Sequence, residues 1–392
     1  MRGHITKRSK GSYSIAIRRG KDPATGKYLQ SWFTVKGTKT DAEKRLAEIL
    51  HQLDTGTFMK PGKATLGDFL ERWLKDYAYA NLAPRTAEGY ETIVRRHLIP
   101  ELGHFPLTQL KPEHIQKYYA RTLAAGRCNG KGPLNPLTVR HHHMALHNAL
   151  KCAVKWGLLA RNPADAVDIP RPTRSEMRVM SENDLNRFLE AAKATPYYPL
   201  FYLALFTGMR RSELLALRWS DVDLTLCQLS VSRTIHRVRN GDFVFRPPKT
   251  AKGRRTVSLS PSTAIVLKTY REQQHAFRLL QDLSVHEEDL VFSKEDRTPL
   301  TPNVVTNAWL RLARRVGLTG VRLHDARHTH ASLMLKQGVH PKIVQERLGH
   351  STIAVTLDTY SHVVPGLQEA AAVAFDQVLS STTKHQNADL VC

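Results

Sequence analysis

The chain is short of acids for the number of its bases. Its 392 residues hold 35 Asp and Glu against 58 Lys and Arg, a formal net charge of +23 at pH 7. Such an imbalance says nothing about fold but speaks to partners, which should be nucleic acid or an anionic membrane surface. Long apolar runs are absent as well. No stretch of about 18 apolar residues occurs, so no bilayer span is expected. Met1 to Arg8 carries charge without the apolar core of a secretion signal. Cysteine is scarce: Cys128, Cys152, Cys227 and Cys392 are scattered with no CxxC, which argues against a disulfide framework and reads as reduced thiols of a cytosolic protein. No acidic cluster of the two-metal kind is visible. What is present is a hydrophobic fraction of 41%, enough for a globular chain of two or three domains. An intracellular nucleic-acid protein is the expectation.

Residues 1–63 carry 14 Lys and Arg against 5 Asp and Glu. Ser12 to Ile17 alternates polar and apolar as a half-buried strand does, and Tyr28 to Val35 is rich in aromatic and β-branched residues. Asp22-Pro23-Ala24-Thr25-Gly26 supplies a turn. Thr40-Asp41-Ala42-Glu43 reads as a capping box before a helix with Leu46, Ile49, Leu50 and Leu53 on one face. The expected product is a small α+β domain, a three-stranded sheet plus one helix. Its open face would carry Arg18, Arg19, Lys21, Lys27 and Lys36 into a DNA groove.

Residues 64–168 read as an all-α bundle. Thr65 caps a stripe of Leu66, Phe69, Leu70, Trp73, Leu74 and Tyr77. Pro84 opens a second helix that Pro100 and Gly103 end, Pro112 a third, and Leu137 to about Trp156 makes a fourth. Arg85, Thr86, Tyr90, Arg95, Arg96, Thr138, Arg140 and His141 are the candidate phosphate contacts of a module clamping duplex DNA. His143 and His147 have chelating spacing, but no nearby cysteine or carboxylate completes a ligand set, and no metal is expected. Residues 169–177 form a proline- and arginine-bearing linker.

Residues 178–380 read as a mainly-α catalytic domain with a small antiparallel sheet. Ser181 caps its first helix, and Gly208 breaks the second, so Arg210 sits at a sharp joint. Strands follow around Leu229 and Val231, Phe243 to Phe245, and Thr256 to Leu259, with Asn240-Gly241 as a type I′ hairpin signal. The segment between the last two strands, Pro248 to Arg255, is a basic hairpin tip. A helix from Ser262 to about Leu280 comes next, and residues 321–362 close the domain. Leu367 to Val378 would make a last amphipathic helix, and residues 381–392 a disordered tail.

The candidate chemistry lies in 321–362 and two upstream joints. His324 and Arg327 are three apart on one helix face. Gly349 ends a helix before His350, and Tyr360 follows ten residues later. Together with Arg210 and Lys249, these groups could converge on one phosphate. A phosphodiester needs fixed positive donors for its transition state, and guanidiniums supply them with planar, bidentate geometry. A tyrosine hydroxyl is a usable nucleophile once a base or a positive field helps it. A lysine can protonate the leaving oxygen.

These boxes resemble the tyrosine recombinases of the phage-integrase family. Thr207-Gly208-Met209-Arg210-Arg211-Ser212-Glu213 is similar to the family's first arginine box, Pro248-Lys249-Thr250 to its lysine hairpin, and His324-Asp325-Ala326-Arg327-His328 to its His-x-x-Arg box. Leu348-Gly349-His350 and Thr359-Tyr360-Ser361-His362 are similar to its closing boxes. The front of the chain resembles the family's arm-site-binding domain (residues 1–63) and core-site-binding domain (64–168), as in integrases of prophages and conjugative transposons. The resemblance implies that Tyr360 attacks the scissile phosphate to give a 3′-phosphotyrosine, while Arg210, Arg327 and His350 hold its oxygens. Lys249 protonates the 5′-oxygen. His324 handles the tyrosine proton or orients the phosphate, and Glu213 fixes Arg210. It implies no cofactor, no metal and no ATP. The implied partners are double-stranded core and arm attachment sites, a homotetramer on DNA, an excision factor and a host DNA-bending protein. The implied setting is the cytoplasm and nucleoid of a prokaryotic host. Arg211 and Lys252 rival Arg210 and Lys249, and the Thr-Gly-x-Arg and Pro-Lys-Thr spacings select the latter pair. His328 stays outside the core set.

Three rivals share parts of this pattern. A type IB topoisomerase uses the same covalent chemistry without partner sites. A metal hydrolase would use His324 and His328 at zinc-helix spacing, but Arg327 puts positive charge beside the metal. A DNA-binding protein without turnover would not need the full set.

Overall fold

The computed structural model describes residues 3–21, 28–54, 64–127, 132–172, 177–238 and 241–360, together with 372, 373, 375 and 376. It divides into two units, Met1–Arg174 and Ser175–Cys392.

Alternation builds the first module. Strands β1 (Gly3–Ser9), β2 (Ser12–Lys21) and β3 (Tyr28–Lys36) form an antiparallel sheet in that order. Ile5, Ile15 and Phe33 stand in register across it. With Ile17 and Val35 they pack on Ile49, Leu46 and Leu50 of helix α1 (Lys39–Asp54). Because side chains alternate, the even positions face away from this core, and there Trp32 is 62% exposed, opposite Ala16. The cap of α1 is Thr38, two residues before the expected Thr40. Its backbone N–H and hydroxyl both donate to Asp41 Oδ2 at 2.8 Å, and its hydroxyl accepts from the Asp41 N–H. Asp41 is the short carboxylate at the third position, which a capping box accepts in place of Glu. Lys36 ends β3 and is exposed. The side chains of Arg18, Arg19 and Lys21, and all of Lys27, lie outside the described residues.

The helical part of this unit begins at α2 (Leu66–Trp73), capped by Thr65 with Asp68 and continued by a π-helical turn (Leu74–Ala78) into α3 (Tyr79–Asn81). Helix α4 (Pro84–Ile93) does not end at Pro100. A second π-helical turn, Val94–Leu98, carries it into α5 (Ile99–Leu102). Pro100 falls in the first turn after that bulge, where a missing N–H costs little. Helices α6 (Pro112–Ala125) and α7 (Pro136–Lys155) complete a core built on Trp73, Tyr118, Tyr119, Leu146 and Leu150.

In the second unit α8 (Glu182–Ala192) is capped by Ser181, and α9 (Tyr198–Thr207) ends at Gly208 with φ +64°. Arg210 then caps the short α10 (Arg211–Leu214). The expected single sheet is two. Strands β4 (Val222–Asp223), β5 (Gln228–Val231) and β8 (Arg255–Ser258) form one, and β6 (Thr234–Arg237) pairs β7 (Phe243–Arg246) in the other. The β6–β7 connection is a residue longer than the type I′ expectation, since Val238 N–H donates to Asp242 O at 2.9 Å while Arg237 pairs with Phe243. Helices α11 (Pro261–Leu279), α12 (Pro302–Arg315), α13 (Leu323–Lys336), α14 (Pro341–Leu348) and α15 (Ile353–Tyr360) follow.

Helix α12 was not expected from the sequence, yet it anchors the core. The buried Trp309 ring lies 4.2 Å from Phe188 and 5.1 Å from Phe201, and its indole N–H donates to Val321 O at 3.2 Å. That bond tethers the loop entering α13. The expected last helix, Leu367 to Val378, falls almost wholly outside the described residues, as do the 381–392 tail and part of the 169–177 linker. Trp309→Ala should lower the unfolding free energy by about 3–5 kcal/mol, the range for emptying a large aromatic site, read as a lower urea midpoint with α8 and α9 as the first helices exposed to hydrogen exchange.

Candidate active site

The site is assembled on three consecutive residues, Leu348, Gly349 and His350, at the end of α14. Gly349 takes the left-handed conformation that a helix terminus favours, φ +65°. The turn leaves the carbonyls of residues 348 and 349 without helical partners. Arg327, buried on α13, donates to Leu348 O at 2.7 Å and to Gly208 O at 2.8 Å. Arg210 donates to Gly349 O at 3.2 Å. The two guanidiniums, more than a hundred residues apart in sequence, thus bind neighbouring carbonyls. Gly208 has no room for a side chain: a Cβ there would lie 2.6 Å from Leu348 Cδ2 and 2.9 Å from His330 Cδ2.

Behind Arg210 stands Glu213, whose side chain is only 1% exposed. Its Oε1 accepts from Arg210 Nη1 at 2.7 Å, and its Oε2 accepts from the Arg210 backbone N–H at 2.9 Å. The same carboxylate takes both terminal nitrogens of Arg255, at 2.9 and 3.3 Å. Arg255 in turn donates to Arg347 O at 2.6 Å. Burial alone would raise the Glu213 pKa. The charges and hydrogen bonds of Arg255 and then Arg210 outweigh it and hold the carboxyl below its ordinary range.

Tyr360 is 1% exposed, and its hydroxyl is hydrogen-bonded to His328 Nδ1 at 2.8 Å. Burial pushes the phenol pKa up to about 12 against the pull of Arg327 and Arg210. The His350 ring stacks on Tyr360 (centroids 6.4 Å apart, planes 12° apart), and its Nδ1 is bonded to Thr356 Oγ1 at 2.9 Å. Burial first, then Arg327, Arg210 and Arg255, lowers His350 to about 3, so the ring is neutral at pH 7. Burial and Arg210 lower Arg327 to about 9, still cationic at pH 7. His324 is more exposed and sits edge-on to His328, with centroids 4.9 Å apart. Desolvation, then His328 and Arg327, holds its pKa low.

The structure therefore brings Arg210, Glu213, Arg327, His350 and Tyr360 together. Lys249 is exposed on the β7–β8 connection, whereas Lys252 donates to Ser351 O at 2.9 Å, one residue past His350. Sequence reasoning missed Arg255, which looks like one more base of a hairpin tip, and Arg347. The latter donates to His330 Nε2 at 3.0 Å, Ser258 O at 2.9 Å and Phe206 O at 3.0 Å, tying α14 to α9 and β8. The available signal was the alternation of β8, in which Arg255 and Val257 share the buried parity.

The DNA-binding candidates of the first unit fare unevenly. Arg85, Thr86, Arg96, Arg140 and His141 are exposed and Thr138 half-buried. Arg95 already pairs with Glu71 at 3.0 Å and with Glu91. Tyr90 stacks on Trp73 and accepts from Asn148 at 2.9 Å. Next to them, His143 bonds Tyr119 and His147 bonds Asp165, each at 2.8 Å. Among the described residues no helix is long and apolar enough to cross a membrane.

Two family models match the chain: phage integrase family over residues 178–365, and phage integrase, N-terminal SAM-like domain, over 65–123. A relative named tyrosine recombinase XerC-like, from Caldanaerobacter subterraneus subsp. tengcongensis, is 30% identical over 92% of this chain and 95% of its own. The ICEBs1 integrase of Bacillus subtilis is 25% identical over 96% of this chain and all of its own. In fold the chain is similar to the Tn1549 transposon integrase in complex with a circular intermediate DNA (TM-score 0.66, 20% identity, 81% of this chain and 100% of that one). It is also similar to a lambda integrase tetramer bound to a Holliday junction (TM-score 0.56, 20% identity, 89% and 95%).

Removing Glu213 would leave Arg255 buried without its anion. Glu213→Gln should cost about 3–5 kcal/mol, as for breaking one partner of a buried pair. Because the folded pKa of Glu213 is depressed, its stabilisation is fully present above the unfolded carboxylate value of about 4.3 and is lost as pH falls through the folded value. Denaturation curves between pH 3 and 7 should therefore show a steeper acid loss in the wild type than in Glu213→Gln.

Proposed function

The chain belongs to the phage integrase family of tyrosine recombinases, and on that premise we propose that it is a site-specific DNA recombinase that integrates and excises a mobile element. It cuts and rejoins DNA through a 3′-phosphotyrosine. The observation that carries this reading is the junction at residues 348–350, where Arg327 and Arg210 bind adjacent carbonyls and the next ring stacks on Tyr360.

In the proposed reaction the Tyr360 oxygen attacks the scissile phosphorus as the bond to the 5′-oxygen breaks. Arg210, Arg327 and His350 neutralise the non-bridging oxygens, and the guanidiniums keep their charge throughout. Lys249 gives its proton to the departing 5′-oxygen. His324 orients the phosphate or handles the tyrosine proton. Glu213 fixes Arg210. The phosphotyrosine conserves the energy of the phosphodiester, so the 5′-hydroxyl of a second strand can resolve it without ATP. With fixed cations in place, no metal is required for charge stabilisation.

The domain reading accompanies this proposal. Residues 1–63 bind arm sites through the open sheet face, 64–168 clamp the core site, 169–177 link, and 178–380 carry the chemistry. The two family matches, which fall within the second and fourth of these ranges, support it. The DNA contacts are the exposed bases named above, acting on attachment sites in a prokaryotic cytoplasm. Strand exchange proceeds in a homotetramer, with an excision factor and a host bending protein as accessories and Leu367 to Val378 docking on a neighbouring subunit. The lambda integrase tetramer on a Holliday junction supports the assembly. A type IB topoisomerase would share the covalent step, but the relatives are named recombinases and integrases, which favours strand exchange.

The test is a nicked duplex spanning the junction of the encoding element with its host, incubated with the full chain in EDTA and run on a denaturing gel. A protein–DNA adduct is expected, lost in Tyr360→Phe and slowed about 10²–10⁴-fold in Lys249→Ala. An adduct that persists in Tyr360→Phe would overturn the assignment.

A further inference from the structure

Two imidazoles, His328 and His350, pack against the tyrosine and a third, His324, against His328, and the geometry separates their roles. His350 has Nδ1 engaged by Thr356 and offers Tyr360 only its ring face. His324 turns its ring edge-on to His328 and is the more exposed of the two. The hydrogen bond to the phenol is made by His328, at 2.8 Å, from a half-buried ring one helical turn beyond His324. Tyr360 is 1% exposed, so bulk water has little access to take its proton. We propose, resting on the recombinase reading above, that His328 is the general base of the cleavage step, taking the phenolic proton of Tyr360 and returning it when the tyrosine leaves.

The step balances. As the Tyr360 oxygen bonds to phosphorus, its proton moves to His328 Nδ1, and the proton for the departing 5′-oxygen comes separately from Lys249. In rejoining, a 5′-hydroxyl gives its proton to the Lys249 amine left neutral by cleavage as it attacks phosphorus, and His328 protonates the phenolate that leaves. The environment suits an acceptor: desolvation lowers the His328 pKa, Asp325 opposes, and Arg327 and Arg322 add to the lowering, so the ring is neutral at pH 7 with a lone pair for the proton. This leaves His324 to the phosphate.

The test uses the full chain, the nicked junction duplex and the initial rate of adduct formation. His328→Ala should slow the reaction about 10²-fold or more, the usual share of a general base. His328→Asn, which can still hydrogen-bond the phenol but not carry its proton, should be as slow. Placing 3,5-difluorotyrosine, a more acidic phenol, at position 360 should recover most of the rate in both His328 variants and none of it in His324→Ala. A His328→Ala rate within about threefold of wild type, below the smallest effect expected of a base, would overturn the proposal. So would a loss that difluorotyrosine does not restore, which marks a structural role. If Tyr360→Phe abolishes the adduct while His328→Ala does not slow it, this inference alone fails. If the adduct survives in Tyr360→Phe, the recombinase reading fails with it.

Discussion

One buried carboxylate holds the candidate site together. Glu213 sits where α10, β8 and the end of α14 meet, and it binds the guanidiniums of Arg210 and Arg255 at once. A lone buried carboxylate would be costly, and the buried Arg255 and half-buried Arg210 would repel one another without it. Taken as a triad, each group compensates the others' desolvation. The consequence is positional. Arg210 reaches Gly349 O from one side of the carboxylate, and Arg255 reaches Arg347 O from the other, so the turn at 347–349 is gripped twice. Arg327 adds a third hold at Leu348 O.

The charge balance of this cluster matters as much as its geometry. Glu213 pairs with Arg210 and Arg255 while Arg327 binds only carbonyls, which leaves a surplus of positive charge around Tyr360 and the neutral His350. Around the tyrosine, burial opposes the arginines, and burial prevails, so the phenol pKa is raised. A phosphodiester entering beside Arg210 and Arg327 would use that surplus where charge develops in the transition state. In the proposed reaction, desolvation and a fixed cationic field would be two halves of one device that keeps the Tyr360 phenol protonated until a phosphodiester enters.

Much of this was legible in the residues. The Thr-Gly-x-Arg joint announces itself because only glycine tolerates the left-handed turn at 208, and His324, Arg327 and His328 fall on one helix by simple spacing. The six proposed catalytic positions could be named before any coordinates. What was not legible depends on tertiary contact. Helix α12 went unread although Pro302 opens it and Val305, Ala308, Trp309, Leu312 and Ala313 recur at helical spacing on one face; only its value, Trp309 meeting Phe188 and Phe201, needed the tertiary contact. Arg255 looks like a hairpin-tip base, since nothing local shows that Glu213 will face it. Pro100 reads as a helix stop because the π-helical turn that accommodates it leaves no sequence mark. His328 is the sharpest case: its neighbour His324 has the better motif, and the partner of the tyrosine is decided by ring orientation.

The central claim is that Tyr360 becomes joined to a DNA 3′-phosphate within this arginine-lined site. The most direct measurement is mass spectrometry of the trapped adduct after nuclease and protease digestion. The account predicts a single modified peptide, from the α15 segment, with a nucleotide attached through its 3′-phosphate to Tyr360. A nucleotide on any other side chain, or one attached through a 5′-phosphate, would contradict it.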